Sequence, residues 1–259
     1  MSGLQRHSYS PTPTAIPLPT ATFTATPSPP APPSLVYTPT TTPAATILPA
    51  AHPTVTAVEI VRGDTERPWI ALTFNSGTDP GPAASILDTL REKNVHCTMF
   101  LTPGDWVRTN AELVRRMLAE GHELGNHSYS HGHFPQLSDE QIARELSALE
   151  ETVLQVTGRS TKPYFRPPYG DRDDRVLQVV QQNGYLNVYW TYHVRDWFPD
   201  ETPESVFRYT VDGACNGAIV VMHLGSWQTG AALPDIIDEL RARGYRLVTL
   251  TELLAPQPT

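Results

Sequence analysis

The sequence predicts an α/β fold, a mostly parallel sheet or barrel of βα units preceded by a tail that cannot build a core. Three observations carry this. Short apolar runs alternate with segments of helical periodicity across residues 56–259. Thirteen of the 26 prolines and 12 threonines fall in residues 1–55, which hold no Asp, Glu or Lys. The remaining 204 residues suffice for one domain with a sizeable core.

Segments such as Thr38-Pro39-Thr40-Thr41-Thr42-Pro43 exclude helix, because proline removes amide donors and pushes its predecessor out of the α region. Residues 1–55 are therefore expected to be a disordered, extended linker or stalk. Stalks of this composition hold secreted domains off a surface, so an extracellular or cell-envelope location is expected. Met1 to Ser10 nevertheless shows neither the basic nor the apolar region of a signal peptide.

From residue 56 the elements follow in order. Trp69 to Phe74 reads as a buried strand. Ala83 to Lys93 is a helix with Ile86, Leu87 and Leu90 on one face, and Val95 to Leu101 a second strand. Ala111 to Glu120 is a helix stopped by Gly121, and Glu123 to Asn126 a short strand. Ser138 and Gln141 form a capping box that opens a helix to about Val156, ended by Gly158. A strand near Tyr164, a helix from Arg172 to Asn183 and a strand at Leu186 to Trp190 come next. The helices Pro203 to Asp212 and Leu233 to Arg243 alternate with strands Ala218 to Met222 and Tyr245 to Leu250.

With 19 basic against 27 acidic side chains, the net charge is −8. No basic stripe is present to neutralise phosphates, which argues against nucleic acid as a partner. No run reaches the ~18 apolar residues of a transmembrane segment. Two cysteines, Cys97 and Cys215, are too few for a disulfide framework and leave one bridge open.

In parallel βα folds, reactive groups gather past the carboxyl ends of strands. Those positions hold Asn75-Ser76-Gly77-Thr78-Asp79, His127 to His131, Arg166 to Gly170, His193 to Trp197, and His223. His127 and His131, four apart, can face one divalent metal; the alternative is a pair of surface histidines. His223 ends an apolar strand, as a general acid or base near neutral pH or as a hydrogen-bonded core histidine. Arg166 beside two prolines can brace a carboxylate or make a plain salt bridge. Tyr169-Gly170 can aim a backbone amide into the rim or simply turn the chain. Asp196-Trp197 reads equally as a turn with a core tryptophan.

In this order, these segments resemble the polysaccharide deacetylases of carbohydrate esterase family 4, the NodB homology domain, over roughly Ala57 to Leu254. The resemblance implies a distorted (β/α) barrel of about seven parallel strands and one divalent metal, usually zinc. It implies removal of N-acetyl groups from a polysaccharide such as peptidoglycan or a chitin-like glycan, or of O-acetyl groups from xylan. It makes His127 and His131 metal ligands, and Arg166 the brace of the catalytic base. It makes Tyr169 the donor of an oxyanion amide, Asp196 a residue orienting the acid, Trp197 a wall of the groove and His223 the general acid.

The sequence departs from the family's Thr-Phe-Asp-Asp-Gly motif. Asn75 occupies the base position and Ser76 that of a metal carboxylate, within Thr73-Phe74-Asn75-Ser76-Gly77. A carboxamide cannot take a proton near neutral pH, and losing a positioned base costs about 10²–10⁴ in rate. Asp79 is the one nearby carboxylate that can replace a ligand or the base, and His193 stands where many members carry Asp. Two functions follow as expectations: a metal-dependent hydrolase of reduced activity, or a catalytically inactive glycan-binding module on the same fold.

Overall fold

The computed structural model describes residues 57–77 and 79–256; the expected tail, residues 1–55, lies outside them. Nine strands form one sheet in the order β1-β6-β5-β4-β3-β2-β8-β7, with β9 also pairing β2. They are β1 (Glu59–Ile60), β2 (Trp69–Asn75), β3 (Thr98–Leu101), β4 (Glu123–Asn126), β5 (Tyr164–Phe165), β6 (Leu186–Val188), β7 (Tyr192–His193), β8 (Ala218–His223) and β9 (Arg246–Leu247). Every strand pair is parallel, and the sheet curls into the expected distorted barrel. All seven expected strands occur; β1 and β7, two residues each, are too short for any periodicity to announce.

Eight α-helices accompany the sheet among the described residues: α1 (Ala83–Glu92), α2 (Gly104–Thr109), α3 (Ala111–Ala119), α4 (Asp139–Thr157), α5 (Asp174–Gln182), α6 (Pro203–Asp212), α7 (Trp227–Ala242) and α8 (Leu250–Leu254). The expected capping box is present at α4, which ends on Gly158 at φ 71°. Several boundaries differ from expectation: β3 starts at Thr98 rather than Val95, β6 ends at Val188 rather than Trp190, and α5 starts at Asp174 rather than Arg172. Helix α7 begins six residues earlier than Leu233, because Ser226 caps it by accepting from the Thr229 amide and Pro234 is tolerated inside it. The last expected strand gives way at Thr249, whose side chain and Glu252 cap α8 instead.

Alternation along β2 and β8 sets what the barrel holds. Ile70, Leu72 and Phe74, with Val220 and Met222, pack outward in the core under the helices. Ala71 and Ile219 face a smaller inner cluster with Phe100, Tyr164 and Val188. Thr73 and Asn75 share the inner face with Ala71, so the period of two turns these polar groups into the barrel. Gly125 is required beside them, since a Cβ there would lie 2.8 Å from the Phe100 ring. Cys97 and Cys215 are both free thiols, and burial pushes the Cys97 thiol pKa up.

Candidate functional site

The strand ends converge as the sequence predicts. Asn75 and His223 are register partners across β2 and β8. A cavity of about 540 Å³ above them is walled by Asn75, His127, His131, Tyr169, His193, Trp197 and His223. Pro167, Gly170, Tyr189, Trp190 and Val221 complete the wall, and no carboxylate belongs to it.

Arg166 is the floor of the site. It is fully buried, with its guanidinium 4.0 Å over the Phe100 ring. Its Nη1 donates to Asn75 Oδ1 at 2.9 Å, and its Nη2 donates to Thr73 Oγ1 at 2.9 Å and the Tyr189 carbonyl at 3.2 Å. The Nε has no partner among the described residues. All three acceptors are neutral, and burial draws the Arg166 pKa down to about 9. Asn75 thus stands where the sequence places a base, in contact with the expected brace, as a carboxamide.

His127 is buried, and its Nδ1 lies 2.7 Å from the Arg166 carbonyl. That contact assigns the proton to Nδ1 and leaves the Nε2 lone pair for the pocket. The His131 ring is 5.0 Å away, centroid to centroid. Burial lowers both pKa values, with His131 adding to the shift of His127 and His223 to that of His131. Both imidazoles are therefore neutral at pH 7, the form that binds metal.

Among the described residues no third candidate ligand stands beside His127 and His131. Ser76 donates to the Thr102 carbonyl at 2.6 Å and accepts from the Thr102 amide at 2.8 Å, so it bolts β2 to the loop after β3 and does not wall the cavity. Asp79 is exposed, and its carboxylate accepts from the Gly81 amide at 2.8 Å. That local turn satisfies the side chain outside the cavity, so the expected substitution of Asp79 as ligand or base is not what the structure displays. Among the described residues no group of three His, Cys, Asp or Glu converges on one point. A catalytic zinc site takes three protein ligands; two imidazoles do not fit one.

The expected acid, His223, is held by a buried carboxylate. Asp196 accepts from the His223 amide at 2.7 Å, from His223 Nδ1 at 2.8 Å and from Thr229 Oγ1 at 2.6 Å. Three bonds lock the carboxylate, which in turn orients the imidazole with Nε2 left for the cavity, as in the histidine–carboxylate pairs of hydrolases. Trp197 is the wall beside it, 5.3 Å from His223 ring to ring.

Strain gathers here as well. Ser128, His131, Tyr169 and Arg195 have positive φ values of 72°, 60°, 58° and 62°, a conformation costly for residues with a Cβ. At Tyr169 it accompanies a short helical turn whose Gly170 and Asp171 amides are taken by the Pro167 and Pro168 carbonyls. The Tyr169 amide has no acceptor among the described residues, and its ring stacks on His133 at 4.3 Å.

Sequence reasoning missed Thr73, Thr229 and the stacked pair Tyr189–Trp190, 3.7 Å apart. Thr73 was within reach, two residues before Asn75 on the same strand face. Thr229 was not, because Pro234 hides the true start of α7.

A parallel sheet with a histidine-lined groove at its strand ends is an architecture that many hydrolases share. The chain belongs to the polysaccharide deacetylase family: residues 62–188 match the family model described as polysaccharide deacetylase. It is 37% identical to a peptidoglycan-N-acetylglucosamine deacetylase of Bacillus cereus over 71% of this chain and 87% of that protein. It is 33% identical to the peptidoglycan-N-acetylmuramic acid deacetylase PdaA of Bacillus subtilis, over 74% of this chain and 73% of that protein. Among solved structures, a CE4 family pseudoenzyme from Bacillus anthracis matches with TM-score 0.73 and 28% identity, covering 78% of this chain and 70% of that one. A mutant of that pseudoenzyme is described as having restored enzymatic activity.

Proposed function

We propose that this protein binds an N-acetylated glycan, peptidoglycan or a chitin-like chain, in the groove of a deacetylase whose hydrolytic machinery is half complete. Turnover by the native sequence is low or undetectable. The observation that carries this reading is the carboxamide of Asn75 on Arg166, in a cavity wall that contains no carboxylate. His223 on Asp196 supplies an acid to protonate a leaving amine, but nothing opposite it accepts a proton from water. In the resembled chemistry a divalent metal, zinc in our reading, activates that water. Here His127 and His131 give it only two ligands, so its binding should be weak.

The retained dyad favours a second reading, a slow deacetylase, since a pure binder has no need of an oriented acid. Under either reading the Pro/Thr-rich composition of residues 1–55 fits a protein held at the cell envelope. The experiment is calorimetric titration with acetylated chito-oligomers and muropeptide fragments beside an assay for released acetate. Saturable binding that Trp197→Ala weakens, with little or no acetate, is the expected result. Absence of binding to every glycan, or rapid native turnover, would overturn the proposal.

A further inference from the structure

Beyond the cavity wall the chain runs Val194-Arg195-Asp196-Trp197-Phe198. Val194 is buried in the outer core and Asp196 is buried beneath His223, so Arg195 and Trp197 are forced outward. Arg195 takes up φ 62°, and Glu201 grips its Nε at 2.6 Å. Turn bonds from the Phe198 amide to the Arg195 carbonyl at 3.0 Å and from the Glu201 amide to the Phe198 carbonyl at 3.2 Å fix the rest.

A line of rings results. His223 meets Trp197 at 5.3 Å, and Trp197 meets Phe198 at 5.2 Å. The Arg195 guanidinium then lies 4.7 Å from the Phe198 centroid and 5.8 Å from that of Tyr209 on α6. Trp197, Phe198 and Tyr209 are 46%, 39% and 41% exposed. Exposed aromatics clustered beside a pocket suit stacking on a ligand that extends from it, and rigid rings give contact area at little cost in rotamer freedom.

We propose that Phe198 and Tyr209, with Arg195 between them, form a second sugar subsite, taking the pyranose ring beyond the one against Trp197. This rests on the glycan reading above. A pyranose offers an apolar C–H face and a polar hydroxyl edge. The rings suit the face, and the Nη donors of Arg195, which no acceptor takes among the described residues, suit the edge. Glu201 neutralises Arg195, so the subsite fits an uncharged sugar. The pinned loop presents it ready-formed, which saves the ordering cost of binding.

The test is calorimetric titration of the full chain with two-unit and five-unit N-acetylglucosamine oligomers, using wild type, Phe198→Ala, Tyr209→Ala and Phe198→Tyr. Both positions are exposed, so melting temperatures should be unchanged. Phe198→Ala and Tyr209→Ala should each weaken the five-unit oligomer about 3–10-fold, the scale of one aromatic contact. They should leave the two-unit oligomer alone, and Phe198→Tyr should retain wild-type affinity for both. Equal losses for both lengths would place the rings in the primary pocket and overturn the subsite. No loss for either length would also overturn it, while wild-type binding left the glycan reading standing. Failure of wild type to bind either oligomer would overturn both.

Discussion

Replacing Asn75 by Asp should stabilise the fold, an unusual result for introducing a buried charge. Arg166 has no exposed surface, and burial takes its pKa from 12.5 to about 9. At 1.36 kcal/mol per unit, holding that cation inside the barrel costs roughly 4–5 kcal/mol. Neutral oxygens, Asn75 Oδ1 at 2.9 Å foremost, and the Phe100 ring face offset this only in part. The Asn75→Asp change puts a carboxylate, its charge shared by two oxygens, in the same place at nearly unchanged volume. A charge-assisted bond is about twice as strong as a neutral one, and breaking a buried pair costs about 3–5 kcal/mol. Allowing for desolvation of the new carboxylate, the gain should be about 1–3 kcal/mol at pH 7. Urea denaturation should move to a higher midpoint at unchanged slope. The pH dependence has a definite sign. The pair depresses the carboxylate's folded pKa below its unfolded value of about 3.9. The gain is thus complete above that value and lost as pH falls through the folded pKa. A variant no more stable than wild type at pH 7 would refute the view that Arg166 sits unneutralised.

Other consequences are open to measurement. His122 is buried, with Nδ1 accepting from the Cys97 amide, and burial draws its pKa down to about 4. The unfolded chain therefore binds the extra proton between pH 6.5 and 4, and stability falls with pH across that window by up to about 3 kcal/mol. His122→Asn should flatten the fall, and an unchanged profile would show that the proton goes elsewhere. Ser76→Ala should cost about 1–3 kcal/mol in chemical denaturation by orphaning the Thr102 backbone, and a neutral result would deny its role as a bolt. Added zinc should raise the melting temperature only weakly, and His127→Ala should abolish the shift; tight stoichiometric zinc would mean a third ligand that the described residues do not provide.

Much of this site was legible because strand ends are legible. Once Trp69–Phe74 and Ala218–Met222 read as strands, Asn75 and His223 had to fall on the same rim, and the structure pairs them in register. The spacing of His127 and His131 allowed both imidazoles to face one point, and their rings lie 5.0 Å apart. What stayed hidden depends on partners distant in sequence. Nothing in Asp79 itself says that Gly81 will take its carboxylate, and nothing in Ser76 names Thr102. The start of α7 was obscured by Pro234, and with it Thr229, the third hand on Asp196. Two-residue strands such as β7 carry no period of their own and exist only because β8 lies alongside.

The most direct test of the half-complete site is deacetylation of acetylated chito-oligomers by four proteins, with and without added zinc. These are wild type, Asn75→Asp, Asn75→Asp with Ser76→Asp, and that pair with His223→Ala. Wild type should release little or no acetate. Restoring the carboxylates should raise the rate about 10²-fold or more, the scale of a positioned general base, and removing the His223 acid should lower it again. Brisk wild-type turnover, or no gain from the double change with the fold and zinc binding intact, would contradict the account.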